Sequence, residues 1–173
     1  NTSLVNEDAQ LLQRQANCDQ NINDINPIAF EPAIAPHIAA DLMNVEIKLI
    51  DITAGFENIN ADLIFDIPGQ SLSKWKNDLK TLVDLQPEHI STYSLTVEEN
   101  TTLYRLVKSG KVKMPSDTLD LAMFKHTRNY LSKNSYTSYE ISNFCKTGME
   151  CRHNLHYWNL DKYLAFGPSA HGF

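Results

Sequence analysis

The chain has 173 residues, 42% of them hydrophobic, and its 21 acidic against 15 basic side chains give a net charge of −6. That length suits a single core, and the acidic balance argues against a nucleic-acid backbone as the main partner. No apolar run approaches the ~20 residues of a membrane span, and "NTSLVNEDAQ" lacks the basic start and apolar middle of a signal peptide, so the chain reads as soluble and cytoplasmic.

In chain order, "NEDAQLLQRQAN" predicts a short helix with Asn6 as its cap, and the Pro-punctuated "INPIAFEPAIAPHIAADLM" reads as turn-rich. "VEIKLIDITAGF" supplies a helix or strand remnant, with Gly55 placed to end a helix. A strand follows around Ile59 to Phe65 and then an amphipathic helix. Its apolar positions Leu72, Trp75, Leu79, Leu82 and Leu85 recur at spacings of three and four behind a Ser71 or Ser73 cap. "HISTYSLTV" is the next strand, and strand, helix, strand with short connections is a right-handed βαβ unit with parallel pairing. A further helix runs from Thr118 to Ser132, although Leu119, Met123, Tyr130 and Leu131 fill one face imperfectly. The absence of an initiator Met and the ending "GPSAHGF" lead us to expect a fragment truncated at both ends.

Two regions carry site-like chemistry. In "DLIFDIPGQS", Asp66 and the Ile67-Pro68-Gly69 turn sit at the carboxyl end of a strand, where α/β folds gather ligands, while Asp62 lies inside the strand. A charge in a buried strand needs a partner, so Asp62 either bonds a ligand or caps a neighbouring backbone group. The second region is "CRHNLHYWNLDKYLAFGPSAHGF", which holds three of the six histidines beside Cys151, Tyr157 and Trp158. The cysteines Cys18, Cys145 and Cys151 have no CxxC spacing, and reduced thiols fit them.

"FENINADLIFDIPGQSLSKWKNDL", "PEHISTYSLTVEENTTLY", "YEISNFCKTGMECRHNLHYW" and "YLAFGPSAHGF" together resemble the HemW branch of the coproporphyrinogen III oxidase-like radical SAM family, over about residues 54–173. The resemblance implies the later part of an incomplete parallel (β/α) barrel. It also implies S-adenosylmethionine-pocket positions at Asp62 and Thr96, and a heme motif at His153, Asn154, Tyr157 and Trp158. An imidazole can ligate heme iron, and the aromatic pair offers flat faces to a porphyrin. His153 is the expected iron ligand, His156 and His171 are second choices, and the Cys151 thiolate is the rival. In a helix, His153 and Tyr157 would share one face, with Asn154 and Trp158 on an adjacent one. The family's [4Fe–4S] cluster needs CxxxCxxC, which this sequence lacks, so the chain is not expected to cleave S-adenosylmethionine.

"NEDAQLLQRQA" followed by "INPIAFEPAIAPHIAAD" resembles an internal piece of dethiobiotin synthetase, over about residues 3–46. That resemblance puts Asp8 near magnesium and ATP phosphates, but no GxxxxGK[ST] loop is present, so an acid supporting a first helical turn is the better reading of it. The expected organisation is therefore a foreign segment 1–45, a seam at Val45 to Thr53, and a partial barrel 46–173. The expected function is heme binding or heme trafficking, with heme or porphyrin and heme-accepting proteins as partners. An oxidoreductase of porphyrin synthesis and an ATP-dependent ligase of biotin synthesis are the alternatives.

Overall fold

The computed structural model describes residues 6–16, 19–26, 28–31, 34–48, 52–53, 56, 58–168 and 170–172. Cys18 and Gly55 lie outside the described residues. The chain divides into two compact units, Asn1–Glu57 and Asn58–Phe173. No helix among the described residues is long and apolar enough to cross a membrane.

In the first unit, α1 (Glu7–Gln15) starts where expected, because the Asn6 side chain accepts from the Asp8 and Ala9 backbone N–H groups. The segment read as turn-rich contains two further helices, α2 (Ile22–Ile25), capped by Asn21, and α3 (Pro36–Met43). Pro36 occupies the first turn of α3, where its missing N–H is no loss and its fixed φ suits a helix. The proline therefore starts this element instead of breaking it. Asn44 ends α3 in the left-handed region at φ 57°. Of the stretch expected to hold a helix or strand remnant, residues 45–48 carry no regular structure and residues 52–53 are helical.

In the second unit, β1 (Asn60–Phe65), α4 (Leu72–Asp84) and β2 (His89–Ser94) form the predicted βαβ unit, with Asn60 paired to His89 and Phe65 to Ser94 in parallel register. The Ser71 side chain caps α4 by accepting the Lys74 N–H. α5 (Thr102–Lys108) and α6 (Asp117–Lys133) follow, then β3 (Thr137–Ser138), β4 (Asn143–Cys145) and α7 (Arg152–Trp158). The sheet order is β1-β2-β4-β3, and β4 is antiparallel to both neighbours. β3 therefore runs in the sense of β1 and β2, as a β/α progression requires. The return limb of its hairpin, β4, takes the place beside β2.

α4 and α6 pack on each other and on one face of the sheet. The core gathers Phe65, Trp75, Leu79, Val83, Ile90, Met123, Leu131, Tyr136 and Phe144. Val83 belongs to it, whereas Leu85, counted on the apolar stripe, is exposed. The imperfect face of α6 has a physical reason: its buried positions are Met123, Thr127 and Leu131, at steps of four, and Thr127 is polar. The Thr127 hydroxyl donates to the Met123 carbonyl and accepts from Trp75 Nε1 at 2.9 Å, so neither polar group is left unpaired in the core.

Candidate functional site

Strand alternation sends Phe65, Ile90 and Phe144 to the helices and turns Asn60, Asp62, His89, Ser91, Asn143 and Cys145 to the opposite face. A cleft of about 550 Å³ opens on that polar face. Asn60, Asp62, His89 and Ser91 of the sheet line it, with Cys151 and Asn154 from the start of α7. Asp62 is exposed, in contrast to the buried strand charge expected, because β1 is an edge strand whose inner face is uncovered. Its carboxylate accepts from Asn60 Nδ2 at 2.8 Å.

His89 is the hub of the face. Its Nδ1 lies 2.6 Å from Asn60 Oδ1, its Nε2 lies 2.8 Å from the Tyr139 hydroxyl, and that hydroxyl accepts from Asn154 Nδ2 at 3.2 Å. Ser91 Oγ also donates to Asn60 Oδ1. Beside them the Asn143 amide donates to Glu140, while its Oδ1 is buried without a partner among the described residues. Cys145 is fully buried, and burial followed by the negative charge of Glu150 pushes its thiol up.

Burial holds the His89 imidazole below its usual pKa, against the opposing pull of Asp62 and Glu140. The sign follows from linkage: below the unfolded value of about 6.5 the unfolded chain takes up a proton that folded His89 refuses. Stability is therefore present above that pH and is lost as pH falls toward the depressed folded value. His126, lowered by burial and then by Lys76, adds the same sign. Asp66, whose carboxyl is raised by burial and then by Asp120 and Asp117, acts in the opposite direction at the acidic end. Urea midpoints are expected to drop between pH 7 and pH 5, with a shallower drop in His89→Gln; identical slopes would remove His89 from this account.

α7 has the helical form on which the shared-face expectation depended. His153 Nε2 meets the Tyr157 hydroxyl at 3.0 Å with the rings edge to face, and the Tyr157 ring lies tilted against Tyr163 at 4.5 Å between centroids. Asn154 turns to Tyr139, and Trp158 lines a separate recess of about 450 Å³ with Arg128, Tyr139 and Ile141. The four motif residues thus occupy two adjacent faces and do not converge on one point. From Trp158 (54% exposed) onward, the side chains of Leu160 (72%), Leu164 (83%) and Phe166 (84%) are also uncovered apolar groups. His156 pairs with Asp161 at 3.0 Å, and His171 is exposed.

Thr96, two residues beyond β2, is exposed and does not line the cleft. The 67–70 turn forms as expected, with Gly69 at φ 77°, and the Asp66 carboxylate keeps one buried oxygen without a partner among the described residues. Asp8 is exposed in the first turn of α1, and no group of three His, Cys, Asp or Glu residues suited to a metal occurs among the described residues. Sequence reasoning missed Asn60, His89, Ser91 and Tyr139. The first three had a signal, polar residues at alternate strand positions, whereas Tyr139 reaches the face only through the β3–β4 connection.

No family model matches the chain. It is 41% identical over 119 residues to the heme chaperone HemW of Bacillus subtilis, a match covering 69% of this chain and 31% of that protein. It is 38% identical over 132 residues to HemW of Buchnera aphidicola subsp. Acyrthosiphon pisum, covering 76% of this chain and 33% of the relative. Among solved structures it resembles the Escherichia coli coproporphyrinogen III oxidase HemN, a radical SAM enzyme. That likeness has a TM-score of 0.53 and 20% identity, over 77% of this chain and 35% of that one. The chain thus spans about a third of the length of the relatives it matches. The HemN likeness bears on fold alone, and it agrees with an incomplete α/β barrel. The comparisons give no support to the dethiobiotin synthetase resemblance. Over the matched residues, the chain belongs to the HemW family.

Proposed function

We propose that the chain is the part of a HemW-like protein that presents a heme-binding helix, α7, beside the inner face of a partial barrel, and that it serves heme binding and transfer to heme-accepting proteins. The observation that carries this reading is local. An exposed imidazole, two exposed aromatic rings and the uncovered apolar run that follows lie on and just beyond a seven-residue helix. Heme supplies a flat apolar ring and an iron that takes an axial nitrogen or sulfur ligand. A surface of this kind is what such a ring would cover. His153 would hold the iron, releasing the Tyr157 hydroxyl from Nε2, and Tyr157 or Trp158 would lie against the ring. Cys151, at the cap position of α7, is the rival ligand.

The residues of this chain do not fit the [4Fe–4S] cluster, since no CxxxCxxC is present, and the oxidoreductase reading therefore has no support from them. S-adenosylmethionine belongs to the family's chemistry, and Asp62, which lines the cleft on the polar face, would be the residue of this chain to meet it. For the organisation of the chain, a division between Glu57 and Asn58 follows the two compact units and stands beside the 45/46 division expected from the sequence.

A heme titration followed by absorbance tests the ligand assignment. His153→Ala is expected to weaken binding at least tenfold and to shift the Soret band, with a smaller loss in Tyr157→Ala. Unchanged affinity and spectrum in His153→Ala would eliminate the assignment, and loss confined to Cys151→Ala would move it to the thiolate.

A further inference from the structure

Helix α7 begins without a cap of its own. Cys151, at the N-cap position, makes no side-chain bond to the first turn, and a helix of seven residues has little intrinsic stability to hold its place. The group that meets it comes from outside. The Tyr139 hydroxyl accepts from Asn154 Nδ2 at 3.2 Å. The phenol has its own anchor: its ring lies 5.6 Å from the His89 ring, and its hydroxyl is 2.8 Å from His89 Nε2.

For a neutral imidazole, only one assignment of protons serves every bond. Asn60 Oδ1 is an acceptor, so His89 Nδ1 carries the proton and Nε2 accepts from the Tyr139 O–H. The donors then run one way, from Asn154 through Tyr139 and His89 to Asn60, whose amide donates to the Asp62 carboxylate. Such a chain polarises each bond in the same sense and fixes the rotamer of every member. Two strands, the β3–β4 connection and α7 are tied by it, and its upper end is a residue of the histidine motif.

We propose that Tyr139 and His89 are positioning residues, a clasp that seats α7 on the polar face of the sheet through Asn154 and so sets where the His153 and Tyr157 face of the helix points. The heme consequence rests on the proposed function; the seating of α7 does not. Asn154 is thereby given a role of its own, binding the helix to the sheet while its neighbour His153 faces outward.

The test uses the full chain in two arms. In the heme-free arm, hydrogen exchange of residues 152–158 is compared between the parent, Tyr139→Phe, Asn154→Ala and the double variant. Tyr139→Phe keeps the ring and removes only the hydroxyl. Exchange in α7 is expected to quicken about fivefold, the scale of one hydrogen bond, while the α4 and α6 amides keep their protection. The double variant should be no worse than the stronger single, because both remove the same link. Unchanged exchange in α7, or single effects that multiply in the double, would overturn the clasp. In the second arm, heme affinity in Tyr139→Phe and Asn154→Ala is expected to fall by a common factor of about five. A large loss in His153→Ala with no change in Tyr139→Phe would defeat the positioning role while leaving the ligand assignment intact. Altered α7 exchange with heme binding indifferent to His153→Ala would defeat the heme reading and leave the clasp standing.

Discussion

Replacing Trp75 with alanine is expected to destabilise the second unit by about 3–5 kcal/mol, the largest effect of any single substitution here. The indole is fully buried between β1 and α6, tilted against Phe65 at 5.2 Å, and its Nε1–H has Thr127 as partner. Its removal opens a cavity at the contact between α4, α6 and the sheet. It also takes away the donor that makes a buried threonine acceptable. Set against the roughly 5–15 kcal/mol that holds a domain together, that loss lowers the melting temperature by roughly 10–20 °C. Trp75→Phe separates the two contributions, since it keeps most of the apolar volume and the Thr127 hydroxyl can still donate to the Met123 carbonyl. A fall of about a third of the alanine value is expected there. A drop of only a few degrees in Trp75→Ala, followed by circular dichroism on heating, would mean that α4 is not the keystone of this core.

The βαβ unit was legible because each of its signals is local: the period-2 strand, the three-and-four spacing of α4, the Ser71 cap and the Pro68-Gly69 turn all lie within a few residues of what they specify. α6 was visible by length, but its face was blurred because Thr127 is buried through a bond to Trp75, a residue 52 positions away. β3 and β4 are two and three residues long, too short for periodicity, and their pairing depends on a hairpin that sequence spacing does not reveal. The site shows the same division. His153 and its neighbours stood out as a cluster in sequence, and their two-face arrangement follows from helix geometry alone. The clasp did not stand out, because Asn60, His89, Tyr139 and Asn154 come together only when four separate elements are in place. Helix α3 was missed for a different reason, that a proline in the first turn initiates what it would break further on.

Reconstitution of the purified chain with iron and sulfide is expected to yield no [4Fe–4S] absorbance and no cleavage of S-adenosylmethionine above background, a complete loss of the chemistry that names the family. The argument rests on the thiols. A cluster of this type needs three thiolates that reach one point, and the sequence offers three cysteines without CxxxCxxC spacing. Cys145 is buried in β4, paired with His89 of β2 and Thr137 of β3, and burial with the nearby Glu150 charge disfavours its thiolate. Drawing it out to a metal would unpair the strand that joins β2 to β3. Cys151 begins α7 beside the clasp, so recruiting it would unseat the helix. Stoichiometric cluster absorbance together with S-adenosylmethionine cleavage would overturn this expectation. A weak signal that persists in both Cys145→Ser and Cys151→Ser would be adventitious iron, because a true ligand set drawn from three cysteines cannot survive the loss of any one of them.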